Sequence, residues 1–527
     1  MIFLEKLVRL LFTAMVIFAL LVAGCTDNKD AVQPATAAPT PSSAQSPLVT
    51  TDAGVISGIQ QGDLRVFHNI PFASPPVGDL RWRPPEPVQP WTGVRDGTNY
   101  SPAPPQPITP DPETGEPVMS EDCLYLDVWT PAKTAGEKLP VMVFFYGGAF
   151  GKVAPVGTLE AYNATLLAEK GVVVVTPNYR LGALGFLAHP LLDAESPHNS
   201  SGNYGIMDQV AALQWVQDNI DAFGGDPSRV TIFGQSAGGE SVLIHLVSPE
   251  SKGLYQQALV ESGPFWADGP TIDNVHSKAD AEQFGLEYTA SLGCTGPDAI
   301  AEMRNVSVSD LINATPWPAS AWENTHTLKF EPTIDGWILP DSVDNLFLLH
   351  KENPVPFIIG TNADDGKTLS ADANMSVSEY ESLIWNYFGE EADAVLAQYP
   401  AGTPDEVQLR LGQIMTRYDF ADSAKFAAGS MADLCPDTYL YRYSYLLPGS
   451  IGKENGVFHG SEALLLFGSG PELNADPFVT DTLVDAWTRF AKTGNPNGDS
   501  MTLWPQYNNR TGQYLDINST LSVKTRY

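Results

Sequence analysis

Short apolar runs along the chain, each followed by turn residues, predict buried strands. The runs carry consecutive apolar residues instead of an alternating pattern, which is typical of strands covered on both faces. They alternate with helix-like stretches, of which 206–220 is the clearest because its apolar residues recur every third position. This order predicts an α/β protein with a mainly parallel, doubly wound sheet. The strand candidates are PVMVFF (140–145), VVVVT (172–176), VTIF (230–233), VPFII (355–359) and YLYRYSY (439–445).

Composition indicates a globular protein and disfavours several functional classes. Of the 527 residues, 43% are hydrophobic and 17% are charged, which is enough apolar material for a substantial core. Lys and Arg total 29 against 62 Asp and Glu, so the formal net charge is −33. A surface this acidic disfavours nucleic-acid binding, because phosphate backbones need positive charge. The four cysteines form no CxxC or Cys/His cluster, so the sequence does not support a metal site.

The first 24 residues predict an export signal. Two basic residues, Lys6 and Arg9, precede an uncharged and mostly apolar stretch over 10–26. That stretch is at the short limit for a helix that spans a bilayer. We therefore expect residues 1–24 to be removed on export, and a retained anchor helix is the alternative.

The sequence Leu-Val-Ala-Gly-Cys at 21–25 resembles the lipobox of bacterial lipoproteins. In such proteins an aliphatic residue and two small residues precede the cysteine that receives the lipid, which here is Cys25. Residues 25–47, rich in Ala, Pro, Ser and Thr, are expected to form the lipidated end and a flexible tether. Thr26 after the cysteine favours an outer-membrane location, facing the periplasm or the cell surface, with plain secretion as the alternative. The lipid would be the only contact with the membrane.

The segment 234–238, Gly-Gln-Ser-Ala-Gly, matches the G-x-S-x-G pattern of a nucleophile elbow. It follows the strand-like run 230–233 and precedes a helix-like stretch, which is the context the pattern requires. The hydroxyl of Ser236 would lie at a helix N-terminus, where partial positive charge favours a developing anion. We expect Ser236 to be a nucleophile, and a structural turn is the alternative.

A nucleophilic serine needs donors for the oxyanion that forms during attack. One donor is expected to be the backbone N–H of Ala237, directly after the serine. Further donors are expected from the glycine turn 146–150, which follows the run 140–145. A simple glycine turn without catalytic role is the alternative.

Several long and collinear motifs resemble the type-B carboxylesterase family. This group of α/β-hydrolases includes bacterial p-nitrobenzyl esterases, mammalian carboxylesterases and cholinesterases. The resemblance implies one α/β-hydrolase domain over 48–527, with a large, mostly parallel sheet covered by helices and a small N-terminal antiparallel sheet. The matching motifs include VFHNIPFASPPVGDLRWRPPEP, EDCLYLDVWTP, YGGAF, NYGIMDQVAALQWVQDNIDAFGGDPSRVTIFGQSAGGESV, GTNADDG, GVFHGSEALLLFG and AWTRFAKTGNPNG.

The resemblance implies a catalytic triad in the chain order Ser, acid, His. Ser236 matches the family nucleophile, and His459 in GVFHG matches the proton-transferring histidine. Asp365 in GTNADDG stands where the family usually has Glu, and its neighbour Asp364 is the alternative acid. Asp is a departure from the family pattern, and its shorter side chain shortens the reach towards His459.

The resemblance also assigns the groups around the triad. The backbone N–H groups of Gly148, Ala149 and Ala237 would form the oxyanion hole. Ser262 matches a serine beside the triad, with a plain core position as the alternative. Gln235, next to the nucleophile, is expected to support the triad without reacting. It also stands where cholinesterases have Glu, and this difference disfavours choline esters.

Other matched positions are expected to be structural. The family carries buried ion pairs at positions that match Arg81 with Glu121 and Arg180 with Asp208. His245, in the helix after the elbow, is expected to lie in the core.

The resemblance also bears on the cysteines. Two of them, Cys123 and Cys294, stand where the family has half of a disulfide, but Pro104 and Glu302 occupy the matching partner positions. We therefore expect no disulfide within the chain.

Together these features predict a carboxylic-ester hydrolase that acts through an acyl-enzyme, without metal or cofactor, on small to medium uncharged esters. An amidase, lipase or acyltransferase using the same site is one alternative, and a catalytically inactive binding protein is another. The sequence does not indicate an oligomeric state. The aromatic residues expected to line the substrate gorge, with ordinary packing as the alternative, are Phe150, Phe265, Trp266, Trp317 and Trp322.

Overall fold

The structure is a computed structural model, and its strands include all five that the sequence predicts. It describes residues 46–107, 118–153, 158–263, 276–315, 330–370, 375–468, 471–498, 502–525 and 527. The strands in these residues are β1 Leu48–Thr50, β2 Val55–Ser57, β3 Ile59–Gln61, β4 Leu64–Pro71, β5 Val94–Asp96, β6 Tyr125–Thr130, β7 Leu139–Phe145, β8 Val173–Pro177, β9 Gly225–Gln235, β10 Gln257–Glu261, β11 His276–Ser277, β12 Thr333–Ile334, β13 Phe357–Asn362, β14 Thr438–Tyr443, β15 Tyr514–Ile517 and β16 Ser522–Lys524.

One large sheet has the strand order β16-β15-β14-β13-β10-β9-β7-β8-β6-β4-β3. Its seven central strands, from β15 to β8, pair in parallel throughout. The strands at both edges pair antiparallel. A small sheet near the N-terminal end joins β1 to β2 antiparallel and β2 to β5 in parallel. The predicted α/β-hydrolase fold, with a large, mostly parallel sheet and a small N-terminal sheet, is confirmed.

The apolar runs locate the strand centres well and the strand ends less well. The run 230–233 predicts four residues of β9, whereas the strand extends over Gly225–Gln235. The run 355–359 predicts the start of β13, but the strand ends later, with Asn362 paired to Tyr443 of β14. Strand ends depend on hydrogen bonds to the neighbouring strand, which local hydrophobicity does not report. The exact strand ends affect the candidate site, because the predicted functional side chains follow them.

Helices connect the parallel strands and cover the sheet. The helix after β9, Ala237–Val247, packs on β9 and β10, and the helix Ser423–Leu434 packs on β13 and β14. The α-helices in the described residues are Thr165–Glu169, Gly182–Phe186, Pro190–Glu195, Tyr204–Asn219, Ala237–Val247, Lys278–Ser291, Ala299–Met303, Val308–Ala314, Val343–Leu348, Asp365–Leu369, Val377–Phe388, Ala392–Gln398, Pro404–Met415, Ser423–Leu434, Gly449–Asn455, Ser461–Leu466 and Pro477–Thr493.

The core lies along the central sheet. Every residue of β6, β8 and β13 is buried, as expected for strands covered on both faces. A second, smaller apolar cluster joins the helices Val377–Phe388, Ala392–Gln398 and Pro404–Met415. The last of these helices contacts Asp365–Leu369, which carries one of the predicted catalytic acids. The smaller cluster therefore supports the site from one side.

The structure forms both of the ion pairs that the resemblance implies. Arg81 contacts Glu121 at 2.7 Å, and Arg180 contacts Asp208 at 2.7 Å, with the second pair almost completely buried. Each Arg also donates to backbone carbonyl oxygens, which compensates further for its burial.

The predicted core histidine and the cysteines lie in structural positions. His245 is buried between Gln209 and Ser251, and burial lowers its pKa to about 3, so it stays neutral in the core. The described cysteines, Cys123, Cys294 and Cys435, are free thiols.

Residues 1–45 lie outside the described residues, so the predicted signal, Cys25 and nearly all of the tether have no structural description here. The following unit runs from Ser46 to Tyr527, and its first strand begins at Leu48. Among the described residues, no helix combines the length and the apolar character needed to cross a bilayer.

Candidate active site

Ser236 occupies a sharp turn between β9 and the helix Ala237–Val247. Its φ of 59° and ψ of −130° lie in a region that residues other than glycine rarely adopt. Two glycines make the turn possible. A Cβ atom at Gly238 would lie 1.9 Å from the carbonyl oxygen of Phe145, and one at Gly234 would lie 2.3 Å from the oxygen of Gly238. The backbone therefore crosses closely at this point, as the elbow pattern predicts.

Hydrogen bonds hold the strained turn from both sides. The N–H of Ser236 donates to the carbonyl oxygen of Glu261 at 2.9 Å, and the carbonyl oxygen of Ser236 accepts from the N–H of Glu240 at 2.9 Å. These bonds fix the serine backbone between β10 and the first helical turn. The side chain is neither fully buried nor fully exposed, so the hydroxyl is accessible to a substrate.

The glycine turn after β7 lies directly against the elbow. A Cβ atom at Gly147 would be 2.7 Å from the Cβ atom of Ser236. The next two residues, Gly148 and Ala149, have φ values of 126° and 52°. Within the described residues, the N–H groups of Gly148, Ala149 and Ala237 donate to no protein acceptor. Three unpaired amides beside a serine hydroxyl form a suitable environment for an oxyanion.

His459 is oriented by Asp365. The Nδ1–H of the imidazole donates to Asp365 Oδ1 at 2.9 Å. The other carboxylate oxygen, Oδ2, accepts from Ser262 Oγ at 3.0 Å and from the N–H of Asn362 at 2.7 Å. Asp365 is completely buried, and these three donors compensate for the burial of its charge. The imidazole therefore presents its Nε2 lone pair on the side away from the acid.

The neighbouring acid, Asp364, points elsewhere. Its Oδ2 accepts from the N–H of Val457 at 2.9 Å, and its own N–H donates to the carbonyl oxygen of Val457 at 3.1 Å. Asp364 thus fastens the segment that leads to His459, whereas Asp365 contacts the imidazole. Asp365, despite its shorter side chain, contacts the histidine from the first residue of the helix Asp365–Leu369.

Gln235 contacts the side of His459 that faces away from Asp365. The amide nitrogen of Gln235 lies 3.1 Å from His459 Nε2. Within the described residues, Ser236 Oγ makes no hydrogen bond to that nitrogen. Ser262 and Gln235, both predicted to support the triad, thus make different contacts, since Ser262 donates to Asp365 and Gln235 lies against His459.

Three further residues lie around Ser236, His459 and Asp365, and the sequence did not single them out. Asn362 donates from its side chain to the carbonyl oxygen of Phe458 at 2.8 Å and also to Glu462. Glu462 and Glu261 are completely buried. The signal for Glu462 was available in the sequence, three residues after His459 in GVFHGSE, and Glu261 directly precedes Ser262.

The environment of both buried glutamates disfavours their ionised form. Among the described residues, Oε1 of Glu462 and Oε2 of Glu261 have no hydrogen-bond partner. The other oxygen of each residue accepts from one donor, Asn362 for Glu462 and Trp487 for Glu261. Burial raises the pKa of Glu462, and the negative charge of Asp365 raises it further. Burial, followed by the charge of Glu462, raises the pKa of Glu261 well above its usual range.

The aromatic lining is described only in part. Phe150 is buried and packs edge-on against Phe186, with ring centroids 5.1 Å apart. The other candidates, Phe265, Trp266, Trp317 and Trp322, lie outside the described residues. Among the residues that are described, no group of three or more His, Cys, Asp or Glu side chains is arranged to hold a metal ion.

The fold and the arrangement of these residues define an α/β-hydrolase. Residues 45–527 match the carboxylesterase family. The chain is 34% identical over 509 residues to a fumonisin B1 esterase of Sphingopyxis macrogoltabida, covering 92% of this chain and 89% of that protein. It is also 34% identical over 493 residues to a para-nitrobenzyl esterase of Bacillus subtilis (strain 168), covering 90% of this chain and 96% of that protein.

Solved structures support the same assignment. A PNB esterase structure matches with a TM-score of 0.77 at 31% identity, and the match covers 90% of this chain and 97% of that chain. The chain therefore belongs to the carboxylesterase family and is a carboxylesterase. The predicted family and enzyme class are confirmed.

The buried glutamates generate a prediction for stability. The folded protein binds a proton at Glu462 more tightly than the unfolded chain does, so the free energy of unfolding should fall as the pH rises from about 4.3 through the raised pKa. Glu462→Gln removes this loss, which amounts to at most about 1.4 kcal/mol per pH unit. The stability of the variant relative to the parent should therefore increase with pH, measured by urea unfolding between about pH 5 and pH 8.

Glu381→Gln, at an exposed position, serves as the matched control and should show no such trend. A difference between Glu462→Gln and the parent that stays constant over this range would contradict the prediction.

Proposed function

We propose that this carboxylesterase hydrolyses small to medium uncharged esters through an acyl-enzyme on Ser236. The observation that carries the proposal is the convergence of three groups at the carboxyl ends of neighbouring strands. These are the strained Ser236 after β9, the unpaired amides after β7 and the His459–Asp365 pair after β13 and β14. In open parallel sheets, ligands bind at this edge.

In the first half of the reaction, Ser236 Oγ forms a bond to the ester carbonyl carbon while its proton moves to His459 Nε2. The carbonyl oxygen becomes an oxyanion that accepts from the N–H groups of Gly148, Ala149 and Ala237. The bond from carbon to the alkoxy oxygen then breaks, and His459 returns the proton to the leaving alcohol. An acyl group remains on Ser236.

In the second half, water attacks the acyl carbon and gives one proton to His459 Nε2. The bond to Ser236 Oγ breaks, the carboxylic acid leaves, and the proton returns to the serine. Asp365 keeps its charge throughout, holds the Nδ1–H tautomer and stabilises the imidazolium that forms twice per cycle. Three donors, the Ser262 hydroxyl, the N–H of Asn362 and the Nδ1–H of His459, contact this buried carboxylate.

The charges around the site support an uncharged substrate. The described ionisable groups next to His459 and Ser236 include the carboxyls of Asp365, Glu261 and Glu462. The Asp365 carboxylate would repel an anionic substrate group in a low-dielectric environment, whereas burial disfavours negative charge on the two glutamates. Gln235 is uncharged where cholinesterases have Glu, whose carboxylate would favour a cationic group beside the nucleophile. Neither an anionic nor a cationic substrate group therefore has a clear partner.

The names of the relatives give two specific ester substrates to compare. One relative is a fumonisin B1 esterase and another is a para-nitrobenzyl esterase. A panel of short-chain p-nitrophenyl esters, a p-nitrobenzyl ester and fumonisin B1 covers both. Amides, long-chain acylglycerols and alcohol acceptors extend the panel to the amidase, lipase and acyltransferase alternatives.

We expect Ser236→Ala to abolish turnover of a short-chain p-nitrophenyl ester. Loss of the nucleophile removes the acyl-enzyme, so kcat should fall by at least about 10³-fold. The assay uses the chain from Ser46 onward and follows release of p-nitrophenol. Equal turnover by parent and variant would remove Ser236 from the mechanism, and absence of turnover in both across the panel would favour a binding protein.

A matched pair of variants separates the two neighbouring acids. Asp365→Asn keeps the shape but replaces an acceptor of the Nδ1–H by a group that favours the wrong tautomer, so kcat should fall by about 10⁴-fold. Asp364→Asn keeps an oxygen for the N–H of Val457 and should change kcat only slightly. A larger loss in Asp364→Asn than in Asp365→Asn would reverse the assignment of the acid.

We also propose that Cys25 is lipidated and anchors the enzyme to the outer membrane of an exporting bacterium. The lipobox at 21–25 and the tether before β1 support this. The full chain should incorporate a labelled fatty acid and sediment with membranes, whereas Cys25→Ser should lose both properties. Equal labelling of parent and variant would contradict the proposal, and a soluble, unlabelled parent would favour plain secretion.

A further inference from the structure

In the proposed mechanism, His459 Nε2 accepts the proton of the nucleophile. In the structure, a different hydrogen-bond donor lies next to this atom. The amide nitrogen of Gln235 lies 3.1 Å from this atom. Gln235 is nearly buried, with 8% of its surface exposed, and the side chain of His459 is 11% exposed. The contact is therefore largely screened from water that would otherwise weaken it.

The direction of this hydrogen bond follows from the groups on either side. Asp365 Oδ1 accepts the proton on His459 Nδ1, so a neutral imidazole has only its Nε2 lone pair left. An amide nitrogen donates and does not accept. The bond therefore runs from the Gln235 amide N–H to His459 Nε2, and it stabilises the neutral, proton-accepting form of the base.

The position of the Gln235 side chain is closely determined. Its backbone ends β9, in register with Glu261 of β10. A Cβ atom at Gly147 would lie 3.1 Å from Gln235 Oε1, and a Cβ atom at Gly460 would lie 3.4 Å from Gln235 Cδ. Glycine at both positions leaves room for the amide between the oxyanion turn and the segment that carries His459.

We infer that Gln235 is a positioning residue that holds the Nε2 lone pair of His459 in the resting enzyme and competes for it with the hydroxyl of Ser236. The inference rests on the proposed acyl-enzyme function. One lone pair accepts one strong hydrogen bond, so attack on the ester requires Gln235 to release His459. The resting site thus keeps a correctly oriented base whose nucleophile is not yet activated.

The size of the effect follows from an ordinary neutral hydrogen bond. Such a bond, exchanged between two donors, changes an equilibrium by roughly threefold to tenfold. Removing the Gln235 donor should therefore raise the fraction of enzyme in which Ser236 donates to His459 by this factor. Catalysis is not blocked in the parent, but its acylation step carries this cost.

Two substitutions of similar size separate the donor from the side-chain volume. Gln235→Met keeps the length and removes the donor. Gln235→Glu keeps the shape but offers only acceptors when ionised, so it favours protonated His459 instead of the neutral base. The other described ionisable groups that face His459 are Asp365 and Glu462, and both are unchanged in these variants.

The test measures attack by Ser236 in two ways, each between about pH 5 and pH 9. The first is the second-order rate of inactivation by a fluorophosphonate, which phosphonylates the serine. The second is the rate of the p-nitrophenol burst from p-nitrophenyl acetate, which reports acylation. On the alkaline plateau, Gln235→Met should react roughly threefold to tenfold faster than the parent. Gln235→Glu should move the acid limb of the profile upward by about one pH unit or more. Loss of a side chain with only a packing role would not accelerate acylation.

Gln214→Met, on an exposed face of the helix Tyr204–Asn219, is the control for the substitution itself and should match the parent. A Gln235→Met variant that acylates at the parent rate or more slowly would overturn the inference, provided that its unfolding midpoint equals that of the parent. If that midpoint is lowered, Gln235→Glu decides, because an unmoved acid limb also overturns the inference. Failure of the proposed function is distinct, since Ser236→Ala would then react as fast as the parent.

Discussion

The close crossing of backbone at the end of β9 is the constraint on which the rest of the site depends. Ser236 has a left-handed φ there because the chain must leave a sheet and enter a helix within one residue. Gly234 and Gly238 permit this, since a Cβ atom at either would overlap a neighbouring carbonyl oxygen. The same crossing brings the turn after β7 against the serine, and within the described residues the N–H of Ala237 donates to no protein acceptor. The proposed nucleophile and the proposed oxyanion donors thus share one geometric cause.

The acids around His459 differ in how their buried charge is compensated. Asp365 is fully buried and carries three donors, so its charge is compensated and available to His459. Glu261 and Glu462 lie nearby, each with one oxygen that has no partner in the described part of the chain, and burial raises their pKa values. Burial therefore disfavours negative charge on Glu261 and Glu462. Asp365, the acid that contacts the imidazole, is instead provided with donors for its carboxylate.

Local motifs in the sequence predicted the reactive side chains but not their contacts. Ser236 and His459 follow from short segments with strong patterns, and the structure places Asp365, the favoured acid, on His459. Gln235 was expected only to support the triad, and its bond to Nε2 was not foreseen. That bond joins residues 224 positions apart, and Gly147 in the turn after β7 and Gly460 beside His459 leave space for the amide. Such gaps depend on packing between elements, which a linear pattern does not record.

The sequence by itself determined the α/β class and the positions of the central strands, because these depend on local hydrophobicity. It also determined the elbow pattern and the family, because these depend on contiguous motifs. Only the tertiary structure decided where β9 and β13 end, which acid faces His459, and which donor holds its Nε2 lone pair. Each of these depends on hydrogen bonds between segments far apart in the chain. Their geometry exists only after the strands have paired and their carboxyl ends have come together at one edge of the sheet.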